Sequence, residues 1–393
     1  MKKPTLLYAS PFWPKKSGIS EYSEALINGL DNNFQLTLVT DDYNIENSKI
    51  RSKYNIIKYD SAKSFEGYDY IIYNFGNNPD YHSYMYEMIQ RYPGYIILHD
   101  YILYYLTVGY YSKKNLLFQK IYEMEGVRGI QIVKDSLKEI ESRNLLLHKQ
   151  IASLLPMNQE IISKAKGIFV HSEYTENILR NRFKEIDIYK INLVKCGMTE
   201  VNRNDFLHRY LKINKNDYII GSVGFIAETK QNELICHAVK KYNEKHEKKI
   251  HYVMIGEGNY VDHLLDTYIH KTGFLNNGNF FEAIASCDLI MNLRYPYNGE
   301  SSATLIQCMA MRKPCVVTDI GWFSELPDSC VIKVPINCSC DDLVLILKKA
   351  RDGSLEYIEN NAKRYVEDHC LPERVAGKIF EECTMSNDGS RKI

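Results

Sequence analysis

The stretch TLLYASPFWPKKSGISEYSEALINGLDNNFQLTLVT (residues 5–40) places a helical pattern between two short apolar segments. TLLYAS (5–10) and FQLTLVT (34–40) are apolar on both faces, as strands buried inside a parallel sheet must be. The helical pattern covers residues 20–30 and follows a loop at Gly18. A strand, a helix and a second strand in this order predict a βαβ unit, from which parallel sheets are built.

The same alternation continues along the chain in two series. The first series adds strand patterns at 68–75, 95–100 and 167–172. After a polar stretch near residue 200, a second series has strand patterns at 218–225, 251–258, 287–296, 313–319 and 330–335. Two series of similar size predict an α/β protein with two Rossmann-like doubly wound domains that face each other across a crevice. Ligands of this architecture bind at the carboxyl ends of the strands.

We place the domain boundaries in polar segments of the sequence. Residues 1–200 are the predicted N-terminal domain and 201–370 the predicted C-terminal domain, while 371–393 are expected to form a helix that packs back on the N-terminal domain. Residues 101–160 are predicted to be a mostly helical insertion in the first domain.

The start of that insertion, YILYYLTVGYYSKKNLLFQK (101–120), mixes aromatic residues with lysines. One interpretation is a peripheral patch that contacts a membrane carrying a lipid-linked substrate. The other is an ordinary helical hairpin whose tyrosines pack against the sheet. The surplus of basic residues in this region is small, which favours the hairpin.

Composition excludes several classes of protein. The chain has 393 residues, of which 45% are hydrophobic. It contains 49 basic and 49 acidic side chains, so the formal net charge is zero. These values are typical of soluble globular domains and exclude disordered and collagen-like chains. A binder of nucleic acid needs a surplus of Lys and Arg to displace counterions, so no nucleic-acid partner is expected.

Cysteine usage and hydropathy bear on the cellular location. Ten cysteines are spread along the chain, several inside apolar runs, which is typical of buried thiols in a reducing compartment. The N-terminal apolar run is shorter than that of a signal peptide, and no stretch approaches the length of a membrane span. We therefore expect a cytoplasmic protein, with peripheral contact at the inner face of the membrane as the open question raised by residues 101–120.

The most informative stretch for chemistry is NLRYPYNGESSATLIQCMAMRKPCVVTDIGWFSELPD (292–328). A predicted strand ends at Arg294, and Glu300, Ser301 and Ser302 are expected to open a helix. The amino end of a helix presents unpaired N–H groups and a positive dipole, so it binds anions. Arg294 adds a cationic fork suited to a diphosphate, and a carboxylate such as Glu300 can accept hydrogen bonds from sugar hydroxyls. Together these groups could hold a sugar joined to a phosphate.

Two further loops fit the same ligand. GSVGFIAETKQNE (221–233) carries Lys230 just before a helix, where a second cation would help neutralise a departing diphosphate. It has no G-K-[ST], so it is not a Walker A loop. In the first domain, Gly18 lies between strand and helix, where a glycine lets the backbone approach a ligand. The G-x-G-x-x-G pattern of dinucleotide binders is missing.

His99 and Asp100 end the fourth strand pattern of the first domain, on the expected ligand side. A histidine in that place could position an acceptor hydroxyl or share its proton, although a strand-end histidine is also commonly structural. The sequence has no D-x-D, no H-E-x-x-H and no EF-hand loop, so no metal site is predicted.

These motifs resemble those of the GT-B-fold glycosyltransferases of family 4, which are retaining enzymes that use nucleotide sugars. The resemblance covers nearly the whole chain. It rests on the Ser17-Gly18 loop, the HD at 99–100, GIFVHSEYT at 167–175, G-F-x-x-x-x-K at 224–230 and the stretch 292–328.

The resemblance implies a nucleotide sugar bound mainly by the second domain and a saccharide or lipid-linked acceptor bound by the first, in surface glycan synthesis. It implies catalytic roles for His99, Lys230 and Glu300. It implies donor-binding roles for Gly18, Arg294, Ser301, Ser302 and Gln307. It also implies metal-independent hexosyl transfer with no cofactor beyond the UDP- or GDP-sugar and with retained anomeric configuration.

Two departures from the family pattern leave alternatives open. Gln307 stands where the family commonly has the glutamate that holds the nucleotide ribose, and Phe225 stands where it usually has an arginine. A catalytically silent GT-B scaffold, or a partner subunit of another glycosyltransferase, is therefore the alternative function. An epimerase or a phosphorylase on the same fold is a third. The donor, the acceptor and the linkage are not specified by the sequence.

Overall fold

The computed structural model describes residues 2–60, 63–197, 202–297, 299–353 and 355–387. The chain divides into two compact units. Unit 1 comprises residues 1–194, 298–301 and 372–393, and unit 2 comprises 195–297 and 302–371.

The centre of unit 1 is a sheet of seven strands, all parallel, in the order β3-β2-β1-β4-β5-β6-β7. The strands are β1 (Thr5–Ala9), β2 (Gln35–Thr40), β3 (Asn55–Lys58), β4 (Tyr70–Phe75), β5 (Tyr95–Leu98), β6 (Gly167–Val170) and β7 (Ile188–Lys190). Leu6, Leu7 and Tyr8 of β1 are completely buried, which explains why this strand is apolar on both faces. The order reverses between β1 and β4, and this switch point is where doubly wound sheets bind ligands.

Unit 2 repeats this topology with six parallel strands in the order β10-β9-β8-β11-β12-β13. The strands are β8 (Tyr218–Val223), β9 (Ile250–Ile255), β10 (Ile269–Lys271), β11 (Leu289–Asn292), β12 (Cys315–Thr318) and β13 (Ile332–Val334). Its switch point lies between β8 and β11. The prediction of an α/β protein with two doubly wound parallel sheets is confirmed, whereas the crevice between the domains stays a prediction.

Helices flank both sheets. In unit 1 they are α1 (Gly18–Leu30), α2 (Ser48–Lys53), α3 (Pro79–Arg91), α4 (Tyr104–Ser112), α5 (Leu117–Glu139), α6 (Lys149–Ala152), α7 (Gln159–Ile162) and α8 (Glu173–Arg182). In unit 2 they are α9 (Phe206–Leu211), α10 (Asn232–Lys245), α11 (Asn277–Ser286), α12 (Ala303–Ala310), α13 (Cys340–Asp352) and α14 (Glu356–His369). The last helix, α15 (Pro372–Asn387), belongs to unit 1.

Helix α15 packs closely against α1. A Cβ atom added to Gly29 of α1 would lie 2.3 Å from the backbone oxygen of Pro372 and 2.9 Å from Cβ of Ala376. Phe380 meets Phe34 edge to face, with ring centroids 5.2 Å apart. The close approach of the two helices therefore requires the missing side chain of Gly29.

The helical segment between β5 and β6 separates into a buried and an exposed part. The residues of α4, including Tyr104, Leu106 and Tyr111, are mostly buried in the core of unit 1. Exposed side chains begin at Ser112 and include Lys113 and Lys114. Tyrosines packed inside the unit agree with the hairpin interpretation of this segment. Within the described ranges, no helix combines the length and apolar character that a bilayer crossing requires.

Three edge strands were not predicted from the sequence, namely β3, β7 and β10. They are three or four residues long, too short to show a continuous apolar pattern, and β3 and β10 are in addition only partly buried. The predicted strand 287–296 is also shorter than expected, since β11 ends at Asn292. Arg294 consequently lies in the loop after the strand and not at its last position. All ten cysteines are free thiols, and nine of them are buried.

Candidate functional site

Two basic side chains lie in neighbouring loops at the switch point of unit 2. Lys230 ends a short 3-10 turn in the loop after β8, and Arg294 lies in the loop after β11. Lys230 Nζ donates a hydrogen bond to the backbone oxygen of Val223 at 2.7 Å, and the backbone N–H of Tyr295 donates to the backbone oxygen of Thr229 at 2.8 Å. The second bond joins the loop after β11 to the loop after β8 at the carboxyl edge of the sheet.

Glycine is required beside the lysine. Gly224 has φ +89°, and a Cβ atom there would lie 3.0 Å from Lys230 Nζ. A side chain at this position would be strained and would crowd the ammonium group.

The electrostatics of this pair favour an anionic ligand. Burial, together with the neighbouring positive charge of Arg294, lowers the pKa of Lys230 to about 7. A cation held near another cation in a half-buried position is stabilised by an anion that bonds to both. The two side chains therefore have the charge and position to bind a diphosphate.

The amino end of α12 lies beyond the same strand as Arg294. Ser302 caps this helix, because its Oγ accepts a hydrogen bond from the backbone N–H of Leu305 at 3.2 Å. The side chain of Asn292 donates to the same Oγ, also at 3.2 Å. The helix begins at Ala303, so Glu300 and Ser301 precede it and the expected start at Glu300 was too early. The capped end supplies N–H groups and a positive dipole at the carboxyl edge of the sheet.

Gln307 is buried on α12. Its Oε1 lies 3.4 Å from where a Cβ atom of Gly197 would be, and that atom would also lie 2.5 Å from Cζ of Phe281. Gly197 has φ +73°, so both its backbone and its surroundings exclude a side chain. The glutamine is thus enclosed by neighbouring groups of unit 2.

The switch point of unit 1 carries Gly18. This residue begins α1 directly after the cap residue Ser17, whose Oγ accepts from the backbone N–H of Ile19 at 3.1 Å. A Cβ atom on Gly18 would have no described atom within 4 Å. The loop after β1 therefore opens onto free space, as a ligand-facing backbone must.

His99 follows β5 and is half-buried. Its Nε2 lies 2.6 Å from Oδ1 of Asn74, and its ring meets the rings of Tyr22 and His171 at centroid distances of 4.6 and 5.0 Å. Burial, with smaller contributions from the nearby His171 and His82, lowers the pKa of His99 well below its usual value. The imidazole is therefore neutral at physiological pH.

Glu300 and Ser301 group with unit 1 in the structure. The preceding residue, Gly299, has φ +85°, and its backbone oxygen accepts a hydrogen bond from Thr175 Oγ1 at 3.4 Å. Burial, followed by the charge of Glu300, raises the pKa of Asp100 to about 6. The sequence pattern places Asp100 next to His99 at the end of a buried strand, but it predicts no role for this carboxyl group.

The predicted site residues thus fall into two groups. Unit 2 brings together Lys230, Arg294, Ser302 and Gln307, whereas Gly18, His99, Glu300 and Ser301 belong to unit 1. Their convergence on one substrate stays a prediction.

A cavity of about 300 Å³ lies elsewhere and is lined by residues such as Arg203, Asp217 and Asp288, which precede β8 and β11. It is therefore at the amino edge of the sheet of unit 2, whereas Lys230 and Arg294 lie at the carboxyl edge, where doubly wound sheets bind ligands. In the described part of the chain, no three His, Cys, Asp or Glu side chains come together as a metal site would require.

Comparison with protein families gives a match over residues 217–336, to the family described as Glycosyl transferases group 1. The matched stretch contains the loops of Lys230 and Arg294 and the whole of α12. No curated protein matches the chain.

Solved structures are similar over nearly the full length. A glycosyltransferase from Rickettsia africae ESF-5 has a TM-score of 0.62 at 14% identity, covering 99% of this chain and 100% of that one. Sucrose-phosphate synthase from Thermosynechococcus elongatus has a TM-score of 0.64 at 13% identity, covering 98% and 100%. HepE from Anabaena, in complex with UDP and glucose, has a TM-score of 0.60 at 12% identity, covering 97% and 99%. At these identities the similarity establishes the fold.

Proposed function

We propose that this GT-B glycosyltransferase, which carries a Glycosyl transferases group 1 domain at residues 217–336, moves a sugar from a nucleoside diphosphate to a hydroxyl of a saccharide or lipid-linked acceptor. The observation that carries the proposal is the cation pair Lys230 and Arg294 at the switch point of unit 2. The solved complex of HepE with UDP and glucose supports a nucleotide sugar as the donor class.

The departing diphosphate is the group that needs most stabilisation. We assign the stabilisation of its negative charge to Lys230, Arg294 and the amino end of α12, since fixed cations and oriented N–H groups stabilise developing charge. These groups would perform the neutralisation without a metal. Gln307 is assigned to the nucleotide ribose, to which an amide can hydrogen-bond in place of a carboxylate.

The remaining residues are assigned to the sugar and the acceptor. Glu300 would accept hydrogen bonds from the donor sugar, Ser301 would present its backbone to a phosphate, and the backbone at Gly18 would approach the diphosphate. His99 would lie near the reacting centre. Attack from the face that the diphosphate leaves retains the anomeric configuration and needs no protein nucleophile.

The test is incubation of the purified protein with UDP- and GDP-sugars, with and without saccharide and polyprenyl-linked acceptors. Transfer to an acceptor, with release of the nucleoside diphosphate and retained configuration, is expected. Calorimetry with UDP, GDP and their sugars separates the alternative, because a silent scaffold would bind none of them. Product formed without an acceptor would instead favour an epimerase.

Donor binding should depend on pH through Lys230. Its pKa of about 7 in the free protein rises when a diphosphate binds, so binding above pH 7 takes up a proton. Affinity for the intact nucleotide sugar should therefore fall by up to about tenfold for each pH unit above 7. Calorimetry in buffers of different ionisation enthalpy measures both the affinity and the proton uptake. In Lys230→Met the slope should vanish, and an unchanged slope would mean that another group takes up the proton.

Membrane contact is proposed for the exposed part of the helical segment between β5 and β6. Leu116, Phe118, Tyr122 and Val127 expose 40, 55, 57 and 73% of their surface. A lipid-linked acceptor would bring this face to the inner leaflet, with Lys113 and Lys114 beside it. The buried aromatic residues of α4 have no part in this proposal.

Replacing both Phe118 and Tyr122 by serine should reduce binding to vesicles that contain anionic lipid by at least about tenfold. Vesicle flotation measures the bound fraction. Tyr357→Ser is the control, because Tyr357 is an aromatic residue that is even more exposed, at 71%, on unit 2. Wild-type protein that stays unbound would contradict membrane contact while leaving the transferase proposal intact.

A further inference from the structure

A buried polar network lies beneath His99 at the carboxyl ends of β1, β4 and β5. Its centre is Asn74, which is completely buried at the end of β4. The side-chain nitrogen of Asn74 lies 2.9 Å from Tyr8 Oη, 3.2 Å from Ser10 Oγ and 2.7 Å from Ser23 Oγ. On its other side, Oδ1 lies 2.6 Å from Nε2 of His99.

The three hydroxyls form a chain that uses their own protons. Tyr8 Oη donates to Ser23 Oγ at 3.3 Å, Ser23 and Ser10 share a bond of 2.5 Å, and Ser10 Oγ donates to the backbone oxygen of Pro11 at 3.2 Å. Because each hydroxyl proton is used in a bond of this chain, the hydroxyl oxygens can only accept hydrogen bonds from Asn74. They therefore face the NH₂ group of Asn74 and fix the orientation of its amide.

The orientation of the amide decides where His99 carries its proton. An amide oxygen can only accept, so Nε2 of His99 must be the donor. Burial keeps the ring neutral by lowering its pKa, and a neutral imidazole with Nε2–H has no proton on Nδ1. Among the described residues, Nδ1 of His99 has no hydrogen-bond partner, and the ring keeps part of its surface exposed.

The other groups around the ring do not supply a charge that would reverse this state. Tyr22 of α1 faces the ring edge-on, and His171, which follows β6, contacts both rings, with centroids 5.0 Å from His99 and 5.5 Å from Tyr22. Both His171 and the nearby His82 of α3 have a pKa lowered by burial, to about 4 and about 3. Asp100, the adjacent residue, has its pKa raised to about 6 by burial and by Glu300 and is mostly ionised at neutral pH, but its Oδ2 accepts a hydrogen bond from the backbone N–H of Asn77 at 3.1 Å and no described hydrogen bond joins it to the ring.

We propose that Asn74 is a positioning residue that locks His99 in the neutral Nε2–H tautomer, so that Nδ1 accepts a hydrogen bond from a hydroxyl of the bound saccharide. The proposal rests on the assignment of His99 to the reacting centre. It specifies the ligand chemistry at this point of the site: the partner of His99 must donate, as a sugar hydroxyl does, and a deoxy analogue lacking that hydroxyl leaves Nδ1 unpaired.

The first experiment needs neither donor nor acceptor. Long-range ¹H–¹⁵N NMR of histidine-labelled wild-type protein, with His99→Gln to assign the signal, distinguishes the two neutral tautomers from the protonated ring. At neutral pH the His99 signal should show protonated Nε2 and unprotonated Nδ1. A protonated ring, or the Nδ1–H tautomer, would overturn the proposal whether or not the protein transfers sugar.

The second experiment replaces Asn74. Asn74→Asp places a carboxylate against Nε2, which should raise the pKa of His99 and protonate Nδ1. Transfer at neutral pH should fall by at least about tenfold and recover as pH rises, adding an ascending limb to the pH profile of kcat/KM. Asn28→Asp, an exposed change on α1, is the matched control and should leave the profile unchanged.

A third variant covers the case in which the carboxylate prevents folding. Asn74→Ser removes the amide without adding charge, and the NMR signal of His99 should then report a mixture of tautomers. An unmixed Nε2–H signal in this variant would contradict the role of Asn74. If the wild-type protein gives the expected NMR signal but turns over no nucleotide sugar, the proposed function is contradicted and the role of Asn74 is not.

Discussion

Lys230→Met should lower kcat for sugar transfer by about 100- to 1,000-fold, which is the loss typical when one fixed group that stabilises transition-state charge is removed. The substitution keeps an unbranched side chain but deletes the ammonium group that lies beside Arg294. Because the diphosphate gains charge as the glycosidic bond breaks, kcat should fall more than KM rises.

The stability of the variant should change little. The lost hydrogen bond to Val223 is offset by removing a desolvated cation from the neighbourhood of Arg294, so the free energy of unfolding should stay within about 1 kcal/mol. Steady-state assays with the best nucleotide sugar measure the rate, and urea titration measures the stability. Lys245→Met, an exposed change on α10, should leave both unaltered. Full activity in Lys230→Met would remove Lys230 from the proposed site.

Unit 1 should lose stability steeply as pH falls below about 6.5. His82 and His171 have a pKa lowered by burial to about 3 and about 4, and burial also lowers the pKa of His99. Since the unfolded chain binds protons on these residues first, stability is full above the unfolded pKa of about 6.5 and declines toward the folded values. At pH 5 His82 and His171 should each cost about 2 kcal/mol, and protonation of Asp100, whose pKa is raised to about 6 by burial, should offset about 1 kcal/mol of this loss.

The two tryptophans allow the stability of unit 1 to be measured separately from that of unit 2. Trp13 belongs to unit 1 and Trp322 to unit 2, so Trp322→Phe leaves one fluorophore that reports on unit 1 alone. Urea unfolding at about pH 7.5 and pH 5 gives the difference in free energy. His82→Gln should reduce this difference by about 2 kcal/mol, whereas His237→Gln, at an exposed position of α10, should leave it unchanged. A midpoint that is the same at both pH values would show that the three histidines are not buried as described.

The apolar strand patterns predicted most of the fold. TLLYAS and most of the other predicted strands lie inside a sheet, where both faces are covered and apolar composition alone distinguishes a strand, whereas the predicted strand at 330–335 corresponds to the edge strand β13. The edge strand β3 carries Asn55 and Lys58 and is half-exposed, so its pairing with β2 depends on a neighbour that sequence patterns do not show. The recognition of a GT-B glycosyltransferase is confirmed by the family domain and the fold, whereas family 4 membership stays a prediction.

The candidate site was only partly predictable, for a physical reason. Lys230, Arg294 and Ser302 follow strand patterns directly, and the switch-point rule indicates that such loops bind ligands. Asn74 lies inside a strand and was not predicted as a site residue. Its role depends on hydrogen bonds to hydroxyls of β1 and α1, which are distant in sequence. Polar residues that act through other side chains become visible only when their partners are located.

The packing of α15 on α1 has a consequence for biosynthesis. Unit 1 is discontinuous, since its final helix is translated after the whole of residues 195–371. The surface of α1 around Gly29 therefore has no covering helix while the ribosome makes unit 2, and the first unit is completed only when the last residues emerge. A nonsense mutation or proteolytic cut shortly before Pro372 would leave unit 2 with all its strands and helices but deprive unit 1 of a helix that its core requires.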